Sequence, residues 1–566
     1  MSSLAVLAAA RFLKERRVPR RCWRCRQSTS WPTETGADLS TRSIFSPIPL
    51  DSGVEVVVSP GYRVQKFLRW GEPILRGAPE FDFHSQSALA QAQQFGYNCD
   101  FLQYFPLGHD RGSHGLLSVN HEYTNPELMF PGFVAGSSST PATTSPENVA
   151  IELAAHGLSV VEVRLDRRRH QWKLVRGAFN RRITGETEIE LTGPAAGDPR
   201  LVTFYDSTGT RVRGMLNNCG GGITPWGTLL TAEENFNQYF AHRNGMAAGP
   251  IRDVHARYGL TAGNSERGWE IHEPRFDLRF EPNEPFRFGF IVEVDPYDAD
   301  CVPKKRTALG RLKHEAATCV VSKGGHLVAY TGDDERFEHM YKFISRRRVS
   351  HHRARNFDLL DEGVLYAARF NDDGTGEWLP LLPGEGQLAS WLMSDVLLNT
   401  REAARLMGAT RMDRPEDLQV NPENGKLYCA MTNNTQRTAT GANAVDAANP
   451  RPNNRHGHVI ELTERRNDPG ARPSPGRSSC CVAIPQTRQT SRRISPGSTS
   501  RRSARCRART TSRSTGAATC GLRPMARSAR STRTTASLPC PRQADTGVTC
   551  GSSSVAYLEA SAPAWR

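Results

Sequence analysis

The sequence predicts an all-β protein, and a β-propeller of about six blades suits it. Between residues 45 and 464, short apolar runs recur, each bounded by a turn rich in Asp, Asn or Gly. Convincing helices are few, and the residue count allows about six four-stranded blades. A large sandwich would account for the same pattern, because no strong repeat period separates the two architectures.

The first predicted strand is residues 54–58, Val54-Glu55-Val56-Val57-Val58, and the next are 116–120 and 159–163. Residues 288–294 and 327–331 follow, and then 364–370, 426–431 and 458–462. Asp295-Pro296-Tyr297-Asp298, the run 371–376 and Asn421-Pro422-Glu423-Asn424-Gly425 supply the turns. Residues 88–94 and 401–408 are the best helical candidates.

A net charge of +15 would ordinarily point to nucleic acid or a membrane surface. All of that excess lies in residues 465–566, which hold nineteen Arg, no Lys and only Asp468, Asp545 and Glu559 as acids. The preceding 464 residues carry 54 basic and 55 acidic side chains, so no nucleic-acid partner is expected. Ser, Thr, Arg, Pro, Ala and Gly dominate the tail, and no run in it alternates like a half-buried strand. Such a composition is what a GC-rich coding region gives when read out of frame; a disordered arm is the alternative.

Residues 1–44 read as a degraded export signal or an artefactual leader. Residues 4–10 are apolar but too short to span a bilayer, and the basic cluster follows them instead of preceding them. No stable membrane insertion is expected. Cys22 and Cys25 form a Cys-x-x-Cys pair with no second pair at zinc-ribbon distance.

Chemistry concentrates at the ends of predicted strands. Cys219 sits in Leu216-Asn217-Asn218-Cys219-Gly220-Gly221-Gly222, and Glu233 and Glu234 follow at the end of an apolar run. A thiol and carboxylates suit a mixed metal site, although Cys219 taken alone reads more readily as a buried small hydrophobe. Asn120-His121-Glu122-Tyr123 follows a strand directly, where His121 and Glu122 could line a charged pocket or simply meet solvent. In Arg311-Leu312-Lys313-His314-Glu315, Glu315 could be an anionic ligand and Lys313 or His314 a phosphate contact. Asp333-Asp334-Glu335 places acids side by side, an arrangement that a hard cation, basic partners or solvent would ease. In Arg414-Pro415-Glu416-Asp417, Arg414 could grip a phosphate, Glu416 could face a metal, and Asp417 could cap the turn. No nucleophile elbow, P-loop or His-Glu-x-x-His helix appears.

The ordered blocks Trp70-Gly71-Glu72-Pro73-Ile74, Phe95-Gly96-Tyr97-Asn98-Cys99-Asp100, 117–123, 217–235, 311–316, 331–343 and 414–418 together resemble the PhoX family of alkaline phosphatases. The resemblance spans roughly residues 45–464. It implies a six-bladed propeller-like enzyme, exported by the twin-arginine route to the periplasm or medium, that hydrolyses small phosphate monoesters with Ca²⁺ and Fe³⁺. By this resemblance Cys219 is the iron-ligating thiol, and Glu315 and Glu416 are iron or calcium ligands. Glu234 and Asp334 are further ligands, Arg414 contacts phosphate with Lys313 beside it, and a monomer is expected.

Family members continue past Glu464 with another strand-rich region, whereas here the Arg-rich tail follows. The propeller is therefore expected to be incomplete at its closing blade, and this translated form to be poorly soluble and weakly active. A hydrolase of another ester or lactone, or a propeller that only binds a ligand, would fit the same residues less well, because Arg414 and Lys313 favour an anionic substrate.

Overall fold

The computed structural model describes residues 47–110, 112–471, 480–483 and 554–560. The fold is largely β, in several sheets with short helices between them. A five-stranded antiparallel sheet is built from Cys99–Pro106, His114–His121, Gly157–Asp166 and Gln171–Val175, with Arg181–Ile183 also paired to Gly157–Asp166. Beside it stands a six-stranded sheet, ordered Arg211–Arg213, Glu188–Thr192, Lys304–Arg306, Ile291–Val294, Leu229–Glu233, Asn218–Ile223. Its only parallel pair joins Glu188–Thr192 to Lys304–Arg306.

The largest sheet has nine strands, running from Thr318–Val321 through His326–Gly332, Met340–Arg348, Gly363–Phe370 and Thr375–Pro380 to Cys480–Ala483, His458–Glu464, Leu427–Met431 and Pro415–Val420. Its two edges approach each other, since the Thr318 hydroxyl donates to the Leu418 carbonyl. Tyr330, Ile344, Trp378, Leu418, Cys429 and Leu462, drawn from strands across the whole sheet, share one buried cluster. A sheet whose two edges approach each other around a common apolar face is strongly curved, as the right-handed twist of its strands favours.

Most predicted strands are present; five have wider bounds, whereas 288–294 narrows to Ile291–Val294 and 426–431 to Leu427–Met431. Residues 54–58 are an exception, because Val54, Val56 and Val57 are exposed and no strand pairs with them. Alternation without a sheet partner leaves the backbone unpaired, and the first strand is Tyr62–Arg69 instead. The tail also departs from expectation. Cys480–Ala483 lies between Thr375–Pro380 and His458–Glu464, and Ser554–Ala560 pairs with Tyr62–Arg69, so segments of the tail read as patternless pair as strands. A four-residue run is too short to show alternation, and a slot flanked by two unpaired edges selects for backbone pairing more than for pattern. The export-signal reading of residues 1–44 and the disorder expected of most of the tail lie outside the described residues.

The helices Ala88–Gln91 and Thr400–Leu406 match the two candidates. Pro146–Ala155 was missed, although the Ser145 hydroxyl caps it at the Asn148 N–H and Pro146 opens it. Among the described residues, no helix is long and apolar enough to cross a membrane.

One ionic group lies inside the nine-stranded sheet. Glu464 accepts from Tyr330 Oη at 2.7 Å, Lys342 Nζ at 3.0 Å and Trp378 Nε1 at 3.1 Å, with both members of the ion pair buried. Removing one partner of a buried pair strands the other charge. Lys342→Ala should therefore lower unfolding free energy by about 3–5 kcal/mol, measured by urea denaturation, and Glu464→Gln, which keeps a hydrogen-bonding side chain there, should cost less.

Candidate metal centre

The glycine run around Cys219 exists because another segment crosses it. Residues 315–317 pass over the strand Asn218–Ile223, and the Ala317 N–H donates to the Gly221 carbonyl at 3.2 Å. A Cβ at position 220 would lie 1.3 Å from the Glu315 carbonyl oxygen, and one at 222 would lie 2.1 Å from that of Ala317. Only glycine permits such an approach. The crossing lays Glu315 on the thiol: Cys219 Sγ is 3.1 Å from Glu315 Oε2 and 3.2 Å from the His314 carbonyl. From the opposite side, Asn120 Nδ2 donates to the Cys219 and Gly220 carbonyls at 2.6 and 3.1 Å.

Strand alternation then separates the two adjacent glutamates. Glu233 turns inward, accepting from Lys305 Nζ at 2.8 Å and from the N–H groups of Leu216, Gly289 and Phe290. Glu234 turns the other way, so that its carboxylate, the Cys219 thiol and the Glu315 carboxylate bring ligand atoms within 4.8 Å of one another.

The acidic run 333–335 is divided among three bases. Arg401 grips Asp333 with two prongs at 2.5 and 2.7 Å, Arg414 Nη2 reaches Asp334 at 2.6 Å, and Lys313 Nζ reaches Glu335 at 2.7 Å. The second oxygen of Asp334, Oδ1, is buried with no hydrogen-bond partner. A Cβ at Gly332 would lie 2.4 Å from the Pro415 carbonyl, so the chain entering the strand Pro415–Val420 runs directly beside the end of His326–Gly332. That approach brings Glu416 into the same electrostatic neighbourhood as Asp334, Glu315 and Asp100.

Burial and mutual repulsion push several of the clustered acids and the thiol toward their neutral forms. Burial, then Glu315 and Glu234, hold the Cys219 thiol well above its usual range, and burial and neighbouring acids do the same to Glu234, Glu315 and Glu122. Burial raises Glu416 to about 8, and Asp100 and Asp417 to about 6. Two cations oppose the cluster, Arg414 through its pair with Asp334 and Lys313 through its field on Glu234. Dehydrated carboxyls in such a group either bind protons or share a cation.

The structure thus brings Cys219, Glu234 and Glu315 together, with Asp334, Glu416 and Arg414 alongside. Lys313 is buried at the border, its ammonium committed to Glu335. His314, weighed as a phosphate contact, takes no part: its ring pairs with Thr331 Oγ1 at 2.8 Å and the Gly310 carbonyl at 3.0 Å, and burial lowers it to about 3. His121 is likewise turned into the core, against Ser159 at 2.7 Å. Asp100, Glu122 and Asp417 also belong to the cluster, Asp100 beside Glu122. Glu122 was weighed from sequence as lining a charged pocket, whereas Asp417 reads there as a turn cap and Asp100 was given no role. Their positions beside strand ends, in blocks already singled out, were the available signal.

A largely β chain that buries a thiol among carboxylates, with an arginine against them, has the donors of a metal site that faces an anion. The chain belongs to the PhoX family of alkaline phosphatases, whose description, "Alkaline phosphatase PhoX", matches residues 43–490. Its match therefore runs further into the tail than residue 464. Among solved structures it is similar to Pseudomonas fluorescens PhoX in complex with vanadate, a transition-state analogue, at 37% identity and a TM-score of 0.71, covering 77% of this chain and 75% of that one. No curated protein matches the chain.

A carboxyl raised in the folded state stays protonated where the unfolded chain has already ionised, so its contribution falls as pH rises through that window. For Glu416 the window runs from the ordinary 4.5 to about 8, and for Asp100 and Asp417 from 3.8 to about 6. The chelator-treated protein should therefore melt at progressively lower temperature between pH 5 and 8, whereas a divalent cation added as a probe, calcium here, should stabilise it increasingly over the same range as the carboxyls ionise. Thermal melts across that range, with and without calcium, check both slopes.

Proposed function

We propose that the chain hydrolyses small phosphate monoesters at this centre, with Fe³⁺ and Ca²⁺ held by Cys219, Glu234, Glu315, Asp334 and Glu416. The observation that carries the proposal is the convergence of a thiol and these carboxylates, out of water, next to Arg414. The donor set fits the ions: a thiolate with carboxylates suits iron, and oxygen donors alone suit calcium. The unpartnered Asp334 Oδ1 is a buried lone-pair donor that a cation would satisfy. When bound, such ions polarise phosphoryl oxygens and lower the pKa of an attacking water.

The chain's own contribution is to position and to balance charge. Arg414 has one prong on Asp334 and only a 3.4 Å contact from Nη1 to Asn433, which leaves donors for an anion. Lys313, tied to Glu335, favours the ionised form of Glu234 through its field. The vanadate bound by the Pseudomonas fluorescens relative supports a phosphoryl-transfer centre in this chain too. The same reading takes the sheets of residues 45–464 as blades of a six-bladed propeller-like body, and the enzyme as a monomer acting in the periplasm or outside the cell.

Turnover of 4-nitrophenyl phosphate by the purified chain tests the proposal. Cys219→Ser and Glu315→Gln should lose bound metal and activity together, and Arg414→Gln should lower kcat roughly 10²–10³-fold while metal content persists. Phosphatase turnover that is indifferent to chelator and to all three substitutions would sink it.

A further inference from the structure

The residue just before a centre residue is, three times over, a buried acid held by its own base. Glu233 precedes Glu234 and is held by Lys305 at 2.8 Å. Asp333 precedes Asp334 and is held by Arg401 at 2.5 and 2.7 Å. Asp413 precedes Arg414 and is held by Arg437 Nε at 2.7 Å, with Asn434 and Asn454 donating to it at 3.0 and 3.1 Å. All three acids and all three bases are buried.

Each base is itself fixed from elsewhere in the chain. Lys305 Nζ also donates to the Arg287 carbonyl at 2.9 Å, and Arg437 Nη2 donates to the Arg411 carbonyl at 2.7 Å. Arg401 lies on the helix Thr400–Leu406 and stacks its guanidinium over Tyr258 at 4.8 Å. Glu233–Glu234 and Asp333–Asp334 adjoin strand ends, where neighbouring side chains alternate, so fixing the first carboxylate orients the next side chain. Arg414 has a left-handed backbone, φ 61°, just before the strand Pro415–Val420, and there a fixed Asp413 holds the turn from which Arg414 projects.

We propose that Lys305, Arg401 and Arg437 are positioning residues for the centre: each clamps the acid that precedes Glu234, Asp334 and Arg414 respectively, and so sets where that side chain points. This rests on the reading of the centre as a metal-dependent phosphatase site. It assigns the bases separate effects, since Arg401 acts through a cation-facing carboxylate and Arg437 through the anion-facing arginine.

The test uses the full chain and two readouts, terbium luminescence titration as a calcium-site probe and competitive inhibition by inorganic phosphate. Arg401→Lys keeps the charge but loses the two-pronged grip, and should weaken terbium binding roughly ten- to a hundredfold with a smaller change in phosphate inhibition. Arg437→Lys should show the reverse, weakening phosphate inhibition while terbium affinity stays within about twofold. Arg401→Gln paired with Asp333→Asn, a neutral hydrogen-bonded substitute, should recover part of the terbium affinity. If the Arg401 and Arg437 variants bind terbium and phosphate as the wild type does, whatever their melting temperatures, or if both lose both ligands equally, the proposal is overturned. Absence of terbium binding by the wild-type chain would instead overturn the underlying reading of the centre.

Discussion

Crowding carboxyl groups out of water is the constraint around which this molecule is arranged. Asp100, Glu122, Glu234, Glu315, Asp334, Glu416 and Asp417 come from five-, six- and nine-stranded sheets and their connections, and burial with neighbouring acids raises the proton affinity of Glu122, Glu234, Glu315 and Glu416. Nothing in their own chemistry would gather them, because each ionised pair repels in a medium that screens poorly. The surrounding sheets must therefore hold them together by packing and hydrogen bonding, and the cations that such a cluster attracts return part of that cost as binding energy.

The means of holding is visible in how basic residues are distributed. Arginine and lysine are buried in number, yet most face acids that stand one residue away from the centre or belong to separate pairs, such as Arg306 with Glu293 and Asp361. The centre itself receives Arg414 and the field of Lys313. Most buried charges among the described residues are thus balanced by a partner or, like Arg182 and Arg311, held by carbonyl groups, whereas at the centre carboxylates outnumber the bases that face them.

Much of this was legible in the sequence. The strand at 458–462 and the turn at 421–425 follow from local composition, because Val, Ile and Leu alternate there and Asn-Pro and Asn-Gly punctuate. Adjacent acids at 233–234 and 333–334 marked the ends of strands, and the resemblance singled out Glu234 and Asp334. What local pattern could not carry is partner choice across long separations. Whether His314 faced a substrate or Gly310 depended on a crossing between segments almost a hundred positions apart, and Asp417 reads as a turn cap until Asp100 is placed near it. The tail strand Cys480–Ala483 was missed because its pairing is a property of the empty slot beside it more than of its own four residues.

The crossing at Gly220 and Gly222 has a consequence for how such a centre can change. There the distance between two sheets is set by main chain lying on main chain, at the closest separation that atoms allow. Substitution elsewhere can remove a ligand from this centre or alter what borders it, but at the crossing any residue larger than glycine would force the two segments, and with them Cys219 and Glu315, apart. The spacing of those two donors is a property of the backbone, and it persists for as long as the two strands remain in contact.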